Sequence, residues 1–392
     1  MKKILFVSSS LGLGGSERCM AEMIRGMDLN KYNITLLALM GTENEHNFDE
    51  RIRIINGYHS FERMNMPFSV FCKEAISQRN FCQLWHKLRY RVRTQRNRHH
   101  LSQDFWQELS VYVDPFEEVY DAVIGYGQGP ASYFAIDKVP NAAKKILWLN
   151  TDLEKARYNI SFVRRFYEKA DAVFTDSQNG VRNVNRLFPG QQNVYFFPNM
   201  MDIDGILEKG TAYEPEYKHN GAWRLFSVGR LCEAKAFHLA ISAASILKQR
   251  QVDFNWYIVG DGSLRKALEE QIIQLNLQDN VILLGKRENP YPWFAQCDLY
   301  VQTSIYEGSC MTLNEAMLFN KPVVTTNFPA AYEKIRDGQN GLICEMKPED
   351  IASKIVLLLT DEDQYRRIAR ELEAHPLSYG ENMVLLESIL DN

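Results

Sequence analysis

Short apolar runs alternate along this chain with stretches whose apolar positions recur at helical spacing. In the first half KILFVSS, NITLLALM, AVIGY, KILWLN, AVFTDS and VYFFPN read as short buried strands. In the second half RLFSVG, NWYIVGDG, NVILLG, LYVQTS, PVVTTN and GLICE do the same. Between them Phe237, Ala240, Ile241, Ala244 and Leu247 fall on one face of a predicted helix. This alternation predicts parallel α/β architecture. Each half opens alike, strand into loop into helix: Ile4–Ser9 into Glu17–Met27, and Leu225–Gly229 into Ala236–Lys248. The expectation is two doubly wound domains, residues 1–198 and 199–376, with ligands taken in a cleft between them. A last amphipathic helix, 377–392, is expected to pack back on the first domain. The boundary is placed near Pro198–Asp204, and the polar stretch Glu208–Gly221 is read as an early loop of the second domain.

Composition narrows the class. The 392 residues are enough for two domains, and 45% hydrophobic with 24% charged residues is the balance of a soluble globular protein. No apolar run has the length of a bilayer span. The opening MKKILFVSSS is too short in its apolar part for a signal peptide and reads as a first strand. Seven cysteines without a CxxC pair argue against a disulfide framework and against a zinc site, so a reducing cytoplasm is expected. Charge is uneven: residues 1–198 carry 26 Lys and Arg against 21 Asp and Glu, the remainder 19 against 28. The basic excess gathers between Gln78 and Gln103, where Arg79, Lys87, Arg89, Arg91, Arg93, Arg96 and Arg98 meet no acid. Phe81, Leu84, Trp85, Leu88 and Val92 interleave with them, which predicts a basic amphipathic helix over about 79–98. It is either a solvated helix packed on the first domain or a surface for anionic membrane; nucleic acid is the disfavoured partner.

Three stretches carry candidate chemistry. SSSLGLGGSERCMAEM places Gly12, Gly14 and Gly15 between the first strand and its helix, where backbone N–H groups can meet a phosphate. The third glycine of a dinucleotide fingerprint would fall at Glu17, so the alternative is a tight turn capped by Ser16. FSVGRLCEAKAFHLA sets Arg230 past Gly229 at a strand end and Lys235 before a helix; the two cations suit a diphosphate, or are solvated surface charges. SIYEGSCMTLNEAMLFNKP holds Glu307 and Glu315. Thr312 and Glu315 read as a T-x-x-E capping box, whereas Glu307, followed by Gly308, is the better candidate acceptor for sugar hydroxyls.

In order along the chain, GGSE, VGRL…K, VGDGSLR, LGKRENPYPWFAQCDLYVQTSIYEGSCMTLNEAMLFNKPVVTTN and GQNGLICE resemble the retaining glycosyltransferases of family 4, densely from about Leu225 to Glu345 and more thinly before it. That family has the GT-B fold of two Rossmann-like domains facing a central cleft. The resemblance implies a donor domain at 199–376 and an acceptor side at 1–198. Arg230 and Lys235 would hold the donor diphosphate, Glu307 the transferred sugar and Glu315 the ribose. The N–H groups of Ser309, Cys310, Met311, Thr312 and Leu313 would contact sugar and phosphate, with Gly229 and Gly308 giving the backbone room and Gly14 and Gly15 closing the cleft. Two positions depart from the family: Asn150, in LWLNTDL, stands where a histidine is common, and Ala236 where a glycine follows the lysine.

The implied activity is a retaining, metal-independent hexosyltransferase that moves a sugar from a nucleotide diphosphate, UDP being the expected base, to a hydroxyl acceptor. The acceptor would be lipid-linked or part of a surface polysaccharide such as capsule or O-antigen. The nucleotide sugar is a substrate and no cofactor is expected. The site would be cytoplasmic, with peripheral contact at the inner face of a membrane through Arg79, Trp85, Lys87, Arg89, Arg91 and Arg93. A sugar-nucleotide binder without transfer activity, or a same-fold epimerase or phosphorylase, are the alternatives.

Overall fold

The computed structural model describes residues 1–12, 15–42, 48–96, 101–218, 220–307 and 310–391. The chain divides into two compact units, Met1–Met201 with Tyr379–Asn392, and Asp202–Ser378. Among the described residues no helix is long and apolar enough to cross a membrane.

The first unit is built on seven strands: β1 (Lys2–Ser8), β2 (Tyr32–Ala38), β3 (Arg53–Asn56), β4 (Tyr120–Tyr126), β5 (Ala142–Leu149), β6 (Ala172–Thr175) and β7 (Val194–Phe196). They lie in the order β3-β2-β1-β4-β5-β6-β7, and every recorded pairing is parallel. The strands are apolar on both faces because helices cover both, as a parallel sheet requires. Ile4 to Val7 and Ala122 to Ile124 are fully buried. Strand β3 carries only Ile54 and Ile55 as apolar residues, too short a run to mark it: it is a sheet edge of four residues, none of them fully buried.

The last helix, Gly380–Asp391, belongs to this unit. Leu386 and Leu390 are buried, and lysines gather at its end. Lys2 Nζ donates to the carbonyls of Leu390 (2.9 Å) and Asp391 (2.7 Å), Lys144 Nζ to that of Ile389 (2.6 Å), and Lys31 pairs with Glu387 and Asp391 at 2.9 and 2.6 Å. Terminal helix carbonyls have no partner within the helix and carry the negative end of its dipole, so ammonium donors satisfy both demands.

The second unit holds β8 (Trp223–Val228), β9 (Phe254–Val259), β10 (Val281–Gly285), β11 (Leu299–Gln302), β12 (Val323–Thr326) and β13 (Leu342–Cys344), in the order β10-β9-β8-β11-β12-β13. Its recorded pairings are also parallel. The helix Phe237–Gln249 buries Phe237, Ala240, Ile241, Ala244 and Leu247 against the sheet, the face that the spacing predicts. The other face of the sheet is aromatic, with Phe226, Tyr257, Trp293, Phe294 and Tyr300 in one cluster. The two units are therefore Rossmann-like, and α/β with two doubly wound sheets is the fold class. In each sheet the strand order reverses beside the first strand, at β1/β4 and at β8/β11. Loops diverge there, and doubly wound sheets take ligands at the carboxyl end of that point.

Candidate functional site

In the second unit, β8 and β11 are neighbours, with Leu225 opposite Leu299. Beyond their carboxyl ends the chain is stapled across the switch point: Ile305 N–H donates to the Ala234 carbonyl at 2.8 Å, and Thr303 Oγ1 to that of Lys235 at 3.0 Å. These bonds bring Lys235 to Glu307, with Nζ and Oε1 2.5 Å apart. Ser304 Oγ (2.6 Å) and Gln302 Nε2 (2.9 Å) donate to the same carboxylate oxygen. Arg230 follows Gly229 at the end of β8 and is exposed; among the described residues no side-chain partner is recorded for it.

Glycines let these segments approach. A Cβ on Gly229 would lie 3.0 Å from Lys235 Cε, so the lysine stem passes directly over it, and a Cβ on Gly260 would fall 1.8 Å from the Gly229 carbonyl oxygen. Ala236 sits in the left-handed region, at φ 46° and ψ 42°, completely buried. A glycine would adopt this conformation without the penalty of about 1–2 kcal/mol that a Cβ brings, so the exchange at this position leaves strain beside Lys235.

The helix Met311–Leu318 starts two residues earlier than the capping-box pattern requires. Cys310, left-handed at φ 43°, occupies the cap position, and among the described residues no side chain caps the helix. Thr312 is not the cap: its hydroxyl donates to Gln302 Oε1 at 3.1 Å. Glu315 then lies in the second turn rather than at the third position, and its carboxylate accepts from the Tyr291 hydroxyl at 3.4 Å. The Leu313 N–H donates to the Cys310 carbonyl at 3.2 Å, while those of Met311 and Thr312 stand at the positive end of the helix dipole. Gly308 and Ser309 lie outside the described residues. Burial pushes the Cys310 thiol up to about 11, so it stays a neutral, packed sulfhydryl. The arrangement combines two cations, an uncapped helix start and an anchored carboxylate. The first two suit a diphosphate and the third suits hydroxyl groups.

In the first unit, Gly15 opens the helix Gly15–Arg25, and a Cβ built on it would meet open space. Gly14 lies outside the described residues. Ser16 does not cap this helix as a turn residue would; it lies in its first turn and accepts from Asn150 Nδ2 at 2.5 Å. Asn150 directly follows β5, two residues after Trp148, whose ring stacks between Tyr126 and Phe174 at 5.1 and 4.7 Å. Asn150 Oδ1 is buried, with no hydrogen-bond partner among the described residues. The asparagine thus couples the β5 end to the glycine loop's helix, a contact for which its neutral donor is sufficient.

The basic stretch forms a helix, Phe81–Arg96, and the structure corrects the expectation for its charges. Lys87 cannot face a membrane. It is 5% exposed, its ammonium donates to the Met64 carbonyl, and it lies over the rings of Phe71 (5.3 Å) and Tyr90 (5.6 Å). Arg93 pairs with Asp104 (3.1 Å) and Glu108 (2.9 Å), and Arg89 with Glu108 (3.3 Å), the acids being buried on the helix Leu101–Leu109. Arg79 is exposed before the helix in a left-handed conformation, and Arg91 stacks over Phe68. What the helix presents outward is apolar: Phe81, Trp85, Leu88 and Val92 are 63, 60, 42 and 41% exposed. Their spacing puts them on one face, with Arg89 and Arg91 on its two flanks.

Desolvation lowers the Lys87 ammonium to about 8 from 10.5. The unfolded chain therefore binds this proton more tightly between about pH 8 and 10.5, and stability contributed here rises with pH through that window, by up to about 1.4 kcal/mol per pH unit. Lys87→Met is expected to remove that rise. Urea unfolding of both forms at pH 7.5 and 9.5 measures it, and equal pH responses would contradict the buried position.

Residues 212–374 match the family model for glycosyl transferases group 1. Over 216 residues the chain is 28% identical to the N-acetylgalactosamine-N,N'-diacetylbacillosaminyl-diphospho-undecaprenol 4-alpha-N-acetylgalactosaminyltransferase of Campylobacter jejuni, covering 53% of this chain and 56% of that protein. It is 29% identical over 203 residues to an uncharacterized glycosyltransferase of Methanocaldococcus jannaschii, covering 49% of this chain and 50% of that protein. The chain thus spans about half the length of these curated relatives. An uncharacterized glycosyltransferase of Haemophilus influenzae matches 99% of both chains at 22% identity. Among solved structures, HepE of Anabaena in complex with UDP and glucose is similar with a TM-score of 0.64 at 20% identity, covering 95% of this chain and 94% of that one, which concerns the fold alone. The family match falls within the second unit, so over residues 212–374 the chain is similar to the glycosyl transferases group 1.

Proposed function

We propose that this protein is a retaining glycosyltransferase that moves a hexose from a nucleotide diphosphate sugar to a hydroxyl of a lipid-linked or growing surface glycan. The observation that carries the reading is the Lys235–Glu307 pair set beside the uncapped start of the 311–318 helix, inside the family-matched segment. In this reading the diphosphate lies against Arg230, Lys235 and the helix N–H groups, and Glu307 accepts from sugar hydroxyls, with Glu315 toward the ribose. The acceptor oxygen attacks the anomeric carbon on the face the diphosphate leaves. The new C–O bond forms as the old one breaks, and the acceptor proton passes to a phosphate oxygen. Fixed positive charge meets the growing negative charge of the leaving group, the preorganised electrostatics that lower such barriers. The reading assigns no step to a metal. UDP as the carrier is supported by the Anabaena structure, and a lipid-linked acceptor by the printed activity of the Campylobacter relative.

The same reading takes the apolar stripe Phe81, Trp85, Leu88 and Val92 as the contact with an anionic membrane that carries the acceptor, the flanking Arg89 and Arg91 reaching lipid headgroups. The deciding experiment is consumption of UDP-glucose, UDP-N-acetylglucosamine and GDP-mannose by the purified protein, with and without polyprenyl-diphosphate glycans. Acceptor-dependent release of nucleoside diphosphate, with the anomeric configuration kept in the product, is expected. Binding of a donor with neither transfer nor hydrolysis would replace the enzyme by a sugar-nucleotide binder.

A further inference from the structure

The Gln302 side chain lies at the end of β11, 3% exposed, and uses its whole hydrogen-bonding capacity. Its Nε2 donates to Ser304 Oγ at 2.7 Å and to Glu307 Oε1 at 2.9 Å. Its Oε1 accepts from the Tyr300 hydroxyl at 2.6 Å and from Thr312 Oγ1 at 3.1 Å. An amide offers two donors and two acceptor sites, and all four are matched. The orientation follows from the partners. A carboxylate accepts only, so the NH₂ must face Glu307. Burial keeps the Tyr300 phenol protonated, so it donates to the oxygen. Ser304 closes a triangle, accepting from Gln302 and donating to Glu307 at 2.6 Å. The strand end is held in turn, since Thr326 Oγ1 donates to the Ser304 carbonyl at 2.6 Å.

Two consequences follow. Lys235, Gln302 and Ser304 all reach Glu307 Oε1, so among the described residues the recorded donors leave Oε2 as the oxygen that can turn to a ligand. Through Thr312, the same amide ties that carboxylate to the first turn of the 311–318 helix. We propose that Gln302 is the positioning residue of this site: it fixes which oxygen of Glu307 is offered to the donor's sugar and sets its distance from the helix start that receives the diphosphate. A polar amide inside a buried strand is expensive unless fully satisfied, and here its satisfaction runs through the two groups that the reading above assigns to the substrate. The inference rests on that reading.

The test compares wild type, Gln302→Met and Thr312→Val, each also combined with Glu307→Gln, using UDP-glucose, UDP-N-acetylglucosamine and GDP-mannose as probes. Nucleoside diphosphate release gives kcat and KM, titration gives the affinities for nucleotide sugar and for free UDP or GDP, and a melting curve reports the fold. Gln302→Met is expected to lower kcat/KM about 30-fold or more, chiefly in kcat, the scale of a misplaced binding group. Affinity for the free nucleoside diphosphate should stay within about twofold, and in the Glu307→Gln background the further loss should be below about twofold because the amide acts through that carboxylate. Thr312→Val, at the partly exposed end of the network, is expected to show the same split at about one tenth of the loss, and it decides the matter if Gln302→Met fails to fold. Wild-type turnover with a folded Gln302→Met unaffected, equal loss of free nucleotide affinity, or full additivity with Glu307→Gln overturns the positioning role alone. A wild type that binds none of the three nucleotide sugars overturns this inference together with the functional reading.

Discussion

Lys235→Ala is expected to reduce turnover of the nucleotide sugar by about 10²–10³, the range for loss of one preorganised charge donor at a site where negative charge develops. The fold should survive. The lysine stem lies over Gly229 and its ammonium meets Glu307, but the segment is stapled by backbone bonds that the substitution leaves in place: Ile305 N–H to Ala234 O, and Thr303 to Lys235 O. The loss should exceed what a surface ion pair contributes, since such a pair stabilises by about 0–1 kcal/mol, whereas a thousandfold rate change corresponds to about 4 kcal/mol. Arg230→Ala should fall in the same range by the same argument, with a more exposed group. Steady-state kinetics of nucleoside diphosphate release, with melting curves for each form, measure this. Turnover by Lys235→Ala and Arg230→Ala at wild-type rate would end the diphosphate assignment.

Loss of membrane binding is the second large effect expected. Replacing Phe81, Trp85 and Leu88 together by serine should abolish sedimentation with vesicles of phosphatidylcholine and phosphatidylglycerol, and leave the melting temperature nearly unchanged because these side chains are already exposed. Magnitudes say which part of the helix matters. Fully burying a large apolar side chain contributes about 1.5–3 kcal/mol, while each arginine near an anionic surface adds about 1 kcal/mol and is screened by salt. The stripe should therefore dominate, and raising the salt should weaken binding without removing it. Arg89 contributes less than its charge suggests because it shares Glu108 with Arg93. Failure of the unaltered protein to bind anionic vesicles at low salt would return the helix to a solvated surface.

The strands and the face of the 237–249 helix were legible because burial on both sides of a parallel sheet writes continuous apolar runs into the sequence. Strand β3 was not, since an edge strand with half-exposed residues carries no such run. The basic stretch is a helix, as its spacing predicts, but Lys87 does not share its solvent face. The window without acids ends at Gln103, one residue before Asp104, and with Glu108 that acid takes up the arginines. Lys87 is buried by the neighbouring helices, a tertiary fact that charge counting does not register. The capping box at Thr312 failed for a similar reason. The motif is local, but Gln302, ten positions earlier, competes for the hydroxyl. The one sign of that competition in the sequence is a glutamine inside the apolar run LYVQTS, a polar side chain where a buried strand calls for an apolar one.

The lysines that grip the last helix bear on how this chain could be recut. Lys2 touches the carbonyls of Leu390 and Asp391, so the two extremities of the described polypeptide are spatial neighbours. Joining them and opening the backbone between Met201 and Asp202 would yield a circular permutant in which each unit is one uninterrupted stretch. A simple cut at Met201, by contrast, would strip the amino-terminal unit of a helix that its own ammonium groups are built to hold.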